Sequence, residues 1–140
     1  MQPFRVTHQV TAQTAFTAME AAGVAAREIG VPVSVAVVDA HLSLIGFLRG
    51  NGATAHSIET SRRKAAAAAS TGKATGWMNP DLALTLPMAS GNLLTNVPGG
   101  FPLRYGGVLV GAIGIAGGTI EQDALIAKKT IDMIGGDSLE

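Results

Sequence analysis

The stretch from Gly99 to Asp123, GGFPLRYGGVLVGAIGIAGGTIEQD, constrains the fold more than any other part of the chain. Val108, Val110 and Ala112 would face one side of a strand, and Leu109, Ile113 and Ile115 the other. A run that is apolar on both faces and rich in β-branched residues suits a strand buried on both sides. Gly111 and Gly114 remove side chains where another backbone, a subunit or a ligand comes close. Gly117-Gly118 ends the strand, and Thr119 stands three residues before Gln122, the spacing of a helix capping box. Glu121 and Asp123 fall in the first helical turn, where carboxylates complement the helix dipole. Upstream, Tyr105-Gly106-Gly107 predicts a hairpin turn between strands at Phe101–Arg104 and Val108–Ile115.

The remaining chain supplies elements to pack against this hairpin. Residues 1–9 read as an extended arm. From about Thr11 to Glu28 the recurrence of Phe16, Met19, Gly23, Ala26 and Ile29 at three and four predicts a helix, stopped by Gly30 and Pro32. Val33–Val38 reads as a buried strand, Asp39–Ser43 as a turn and Leu44–Arg49 as the returning strand. Ser57 to Ser70 is an Ala-rich helix. Residues 71–98 read as irregular, with one helical turn near Asp81–Leu84, because Pro80, Pro87, Pro98, Asn92 and Asn96 interrupt any longer element. A loop of that length is often functional or interfacial. A last helix runs from Thr119 to Ile134 and ends at Gly135-Gly136. The order helix, two strands, helix, loop, two strands, helix predicts an α+β domain with an antiparallel sheet and packed helices.

The 140 residues suit one domain, residues 1–140, with Leu139-Glu140 read as a remnant of an expression tag. Formal net charge is zero, so nothing pulls the chain generally toward nucleic acid or acidic membranes. Only 14% of residues are charged against 47% apolar, a thin polar coat that points to a homo-oligomer. The absence of Cys excludes disulfides, thiolate catalysis and Cys-ligated metals. MQPFRVTHQV lacks a signal-like apolar core, and no run approaches ~18 apolar residues. The expectation is a cytoplasmic protein with no membrane association.

Four blocks resemble the GlcG/HbpS-like family, which takes in the haem-binding protein HbpS and the C-terminal domain of PduO proteins. They are VPVSVAVVDA (31–40), RGNGA (49–53), Lys64-Ala65 within SIETSRRKAAAA, and GGFPL followed by GVLVGAIGIAGGTIEQD. Their order and spacing fit from about residue 10 to 135. The resemblance implies a profilin-like α+β fold in a homo-oligomer and a ligand that is haem or a related tetrapyrrole in some members. In others it implies accessory or enzymatic roles in catabolism. The chain departs from the family in having His41-Leu42 where a Gly-Gly pair is usual, Gly50-Asn51 where Met-Asp is usual, and Ala116 where Ser is usual.

Beside this stand the candidate residues. His8, His41 and His56 lack metal-ligand spacing, and no metal site is expected. A haem ligand needs a neutral imidazole facing an apolar slot; His8, on an arm that could close over a pocket, comes first and His41, at a hairpin tip, second. Met78 and Met88 read as axial ligands or as apolar contacts. Lys64 is either an anion- or carbonyl-binding group or the partner of Asp39, Asp123 or Glu59 in a structural ion pair. Asp39 reads as a ligand-binding residue or as an Asx turn closing the hairpin. Arg49 could hold a carboxylate bidentately or be an exposed strand-end charge. The Gly99 and Gly100 amides could cradle an oxyanion or simply reverse the chain.

Several motifs fail. Ser70-Thr71-Gly72-Lys73 looks like a P-loop tail, but Ala67 stands where a glycine is required and the segment follows its helix. Gly111, Gly114 and Gly117 lie within a strand and make no dinucleotide fingerprint. No Gly-x-Ser-x-Gly elbow occurs. One Trp and one Tyr give no stacking platform for nucleic acid. The leading expectation is a small-ligand-binding homo-oligomer with haem as first candidate. One rival is an enzyme of small organic acids or aromatics, with Lys64 and Arg49 holding carboxylate and Asp123 or Glu121 as general acid–base. The other is a non-catalytic accessory protein of a catabolic complex.

Overall fold

The computed structural model describes residues 1–139; Glu140, of the Leu139-Glu140 tail, lies outside the described residues. The elements are α1 (Ala12–Ile29), β1 (Ser34–Asp39), β2 (Leu44–Arg49), α2 (Ser57–Thr71), α3 (Pro80–Ala89), β3 (Gly100–Tyr105), β4 (Val108–Ala116) and α4 (Ile120–Met133). The helix ends follow local chemistry. Thr11 caps α1 by accepting the Thr14 N–H, and Gly30 closes it at φ 84° in the left-handed region. The Thr119–Gln122 capping box forms in both directions at the start of α4.

The strands make one antiparallel sheet in the order β2-β1-β4-β3. The doubly apolar β4 is therefore internal, flanked by β1 and β3. The fold is α+β, as the element order predicts. Helices α1 and α4 pack together over one face, and α2 covers the other. The two faces differ in the size of their side chains. Val35, Val37, Leu103, Ile113 and Ile115 point toward α1 and α4 and fill the main core. Ala36 and Ala112 point toward α2 and meet Ala65, Ala68 and Ala69.

Glycine extends this smallness to the backbone. Gly100 and Gly114 are register partners on β3 and β4. A Cβ on Gly114 would collide with the Ser61 carbonyl and lie 2.6 Å from the Ala65 nitrogen. A Cβ on Gly100 would collide with the Lys64 carbonyl. The α2 backbone thus rests directly on the strands, which is the close approach that interior strand glycines mark.

The segment 71–98 corrects the sequence expectation. It contains the ten-residue helix α3, longer than one turn. Asn79 caps it by accepting the Leu82 N–H at 2.9 Å, and Pro80 occupies the first turn, where its missing N–H costs nothing. Pro87 sits in the last turn, so it removes one hydrogen bond without stopping the helix. None of the α3 residues is buried, and Leu84 and Met88 are exposed.

Candidate functional site

Two of the concave regions contain candidate residues weighed from the sequence, Arg49 in one and Lys64 with Asp123 in the other. The first is a groove of about 580 Å³ between the C-terminal half of α1 and the β1–β2 hairpin. Its wall is apolar: Met19, Ala22 and Ala26 from α1 face Val33, Val35 and Leu48. Gly23 also lines it, with the Arg27 side chain alongside; a Cβ there would make an ordinary contact, 3.6 Å from an Arg27 guanidinium nitrogen. Arg49 lines the groove from the end of β2. Its Nε and Nη2 both donate to the Ala53 carbonyl, at 3.0 and 2.7 Å, which fixes the guanidinium plane and leaves other N–H groups free. Neither Arg27 nor Arg49 has a carboxylate partner among the described residues.

The second region is a cleft of about 240 Å³ where α2 and α4 both begin. Lys64 and Asp123 line it, paired at 2.9 Å, with side chains only 2% and 4% exposed. The Lys64 ammonium also donates to the Ile115 carbonyl at 2.8 Å. Asp123 Oδ1 accepts the Gly118 N–H at 2.8 Å. Gly99 makes room for this ammonium: a Cβ there would lie 2.8 Å from Lys64 Nζ and 2.6 Å from the Ile115 carbonyl, and the residue has φ 127°. Thr54, His56, Ser57 and Thr60 line the α2 side, and Gly117, Gly118 and Ile120 the α4 side.

The structure thus brings Lys64, Asp123 and Gly99 together and separates them from Arg49, which lines the other cavity. Of the ion-pair partners weighed for Lys64, Asp123 is the one observed; Glu59 pairs with Arg62 and Arg63 on the surface. The Gly100 N–H, weighed as an oxyanion donor, donates to Thr75 Oγ1 at 3.0 Å. Glu121 lies exposed in the first turn of α4, outside the cleft lining. Asp39 closes the hairpin as an Asx turn, its Oδ1 accepting the His41 and Ser43 N–H groups at 2.8 and 3.1 Å. His8 is exposed on the arm. Its neighbour Gln9 accepts the Ala40 N–H at 2.9 Å and reaches His41 Nδ1 at 3.5 Å, so both favoured histidines come to one edge of the molecule. Neither lines the groove or the cleft. Leu42, which stands with His41 in place of the family's usual glycine pair, has φ 71°, a conformation that favours glycine.

Sequence reasoning missed Arg27 and Met19, which looked like ordinary members of an amphipathic helix. It left His56 without a role, although a histidine directly before a helix start was visible.

The model of the family described as "Haem degrading protein HbpS-like" matches residues 10–132. The chain belongs to the HbpS-like family. An uncharacterised 15.0 kDa protein from the dhaT–dhaS intergenic region of Citrobacter freundii is 33% identical over 112 residues, covering 76% of this chain and 79% of that protein. Among solved structures, protein ORFY of Klebsiella pneumoniae superposes with a TM-score of 0.88 at 26% identity, covering 100% of this chain and 99% of that one. A PduOC–haem complex superposes with a TM-score of 0.85 at 29% identity, covering 94% and 99%. Membership in the family and these structures support haem or small-ligand binding as the functional class. No described helix is long and apolar enough to cross a membrane.

Proposed function

We propose that this HbpS-like chain binds haem or a related tetrapyrrole in the groove between α1 and the β1–β2 hairpin, and does so as a homo-oligomer. The observation that carries the reading is the pairing of an apolar wall with two guanidinium groups that have no acidic partner among the described residues. A tetrapyrrole is a broad apolar disk with carboxylates at its edge. The groove volume, about 580 Å³, falls within the ~300–1,000 Å³ of small-molecule sites. Arg27 and Arg49 would hold carboxylates, and the Met19 thioether is a ligand type that haem iron accepts. Bound haem would supply an iron centre with axial positions tuned by the protein. A structural relative of 29% identity crystallised with haem supports the choice of ligand. The exposed Leu84 and Met88 on α3, a helix with no buried residue, support assembly with further copies.

Haemin titration followed by absorption tests the reading. We expect a saturating Soret band at a fixed haem-to-subunit ratio. Combined Arg27→Ala and Arg49→Ala substitution should weaken binding about tenfold or more, the equivalent of ~1.4 kcal/mol. Met19→Leu should alter the band shape, and His8→Ala and His41→Ala should leave it unchanged. A non-saturating spectrum overturns haem binding. Loss in His8→Ala or His41→Ala, with the arginine variants normal, moves the ligand to the arm edge.

A further inference from the structure

The Lys64–Asp123 cleft serves no purpose in the groove reading. Replacing a buried ion pair by apolar residues is often neutral or stabilising, so burial of this one is not explained by stability. The pair is moreover exposed to a cavity, since both residues line the cleft. An ammonium carries three hydrogens. Those of Lys64 have two acceptors among the described residues, the Ile115 carbonyl and Asp123 Oδ2. The third N–H has no acceptor among the described residues, and the side chain lines the cleft although it is only 2% exposed.

The surroundings define what that partner is. Asp123 is held in place by Lys64 on one oxygen and by the Gly118 amide on the other, and each oxygen keeps a second lone pair. The cleft therefore offers a charged donor beside a fixed acceptor. Ile120 opens α4 at the cleft, and the amides of Ile120 and Glu121 have no intrahelical acceptor by the geometry of a helix start. Lys64 and Asp123 cancel in charge, and the helix starts add partial positive charge beside the first-turn carboxylates Glu59 and Glu121. A carboxylate suits the Lys64 hydrogen and the α4 amides, and a hydroxyl next to it suits Asp123. The volume, about 240 Å³, lies below the ~300–1,000 Å³ of drug-sized sites and suits a small molecule.

The geometry points to a second site, in which the Lys64–Asp123 cleft binds a small 2-hydroxy acid. This site is separate from the groove and does not depend on haem binding there. Its carboxylate sits on the Lys64 ammonium and the first turn of α4, and its hydroxyl donates to Asp123.

Amide chemical shifts of ¹⁵N-labelled protein, titrated with lactate, acetate and inorganic phosphate, test it. We expect saturable shifts with lactate, concentrated on Gly118, Ile120, Glu121 and His56, at an affinity about tenfold above that of acetate or phosphate. The location of the shifts in the wild-type protein decides the site without any variant. Lys64→Met combined with Asp123→Leu replaces the charges by apolar volume and keeps neither ion unpaired; it should fold and lose lactate binding at least about tenfold, with haemin titration unchanged. Absence of saturable shifts at the cleft overturns the site, and so does undiminished lactate binding in a folded double variant. Equal affinities for all three probes reduce the cleft to general anion binding and overturn the hydroxy-acid assignment. Loss of haemin binding in the folded double variant overturns the independence of the two sites.

Discussion

The α1/α4 face of the sheet presents Val35, Val37, Leu103, Ile113 and Ile115, whereas the α2 face presents Ala36, Gly100, Ala112 and Gly114. On the first face, large side chains set the distance between sheet and helices. On the second, their absence lets α2 lie on the strands backbone to backbone. A helix that close cannot bury much apolar volume of its own, and α2 accordingly faces the sheet with alanine. What it gains is reach. The Lys64 side chain, starting from the buried side of α2, arrives at the Ile115 carbonyl on β4 and at Asp123 in α4. One face is thus held by packed volume and the other by close contact plus a buried charge pair. The two cavities follow the same division: the groove has an apolar wall beside α1, and the cleft has the charge pair beside α2.

The strongest way to break this comparison is to remove one charge. Lys64→Met leaves the Asp123 carboxylate buried with only the Gly118 amide as partner and should cost about 3–5 kcal/mol in urea unfolding. Adding Asp123→Leu should restore most of that loss. A single-variant cost below about 1 kcal/mol would show that α2 is held by contact alone and that the pair contributes little to its position.

Next in size is a change of one methyl group on adjacent residues. Gly114→Ala adds a Cβ against the Ser61 carbonyl and the Ala65 nitrogen, atoms of helix backbone that cannot rotate away. We expect about 3 kcal/mol of destabilisation, at the upper end for overpacking. Ile113→Val removes a methyl from the opposite face and should cost only about 1 kcal/mol. Equal costs in the same unfolding assay would mean that the α2 face yields as readily as the packed one.

The same contrast explains what could be read in the sequence. The strands and long helices were legible because their apolar residues repeat at two or at three and four, and because Thr119 with Gln122 and Gly30 mark helix ends. The glycines at 111 and 114 were legible as close approaches, but the sequence could not say which backbone approaches. Lys64 stood out because alanine follows it; its partner lay among three carboxylates, and only the fold distinguishes Asp123 from Asp39 and Glu59. Helix α3 was obscured because its prolines act by position: Pro80 starts the helix and Pro87 falls in its last turn. The groove was invisible because its arginines, Arg27 and Arg49, come from separate elements and are joined only by the packing of α1 on the hairpin.

A smaller effect sharpens the comparison on the apolar side, where a polar tie joins the end of α4 to β3. Tyr105 packs partly buried against the α1/α4 core, and its hydroxyl donates to the Ile134 carbonyl at 3.0 Å, fastening the end of α4 to β3. Burial disfavours the phenolate and raises the Tyr105 pKa above its ordinary value of 10.0. The folded state therefore holds this proton more tightly than the unfolded state. The contribution is fully present below pH about 10 and declines as pH rises from there through the folded pKa, because the unfolded chain releases the proton first. Tyr105→Phe should cost about 1 kcal/mol at neutral pH through the lost hydrogen bond. It should also flatten the alkaline decline, so the two proteins converge in stability above pH about 10. Parallel stability curves up to that range would remove Tyr105 as a tie between α4 and β3.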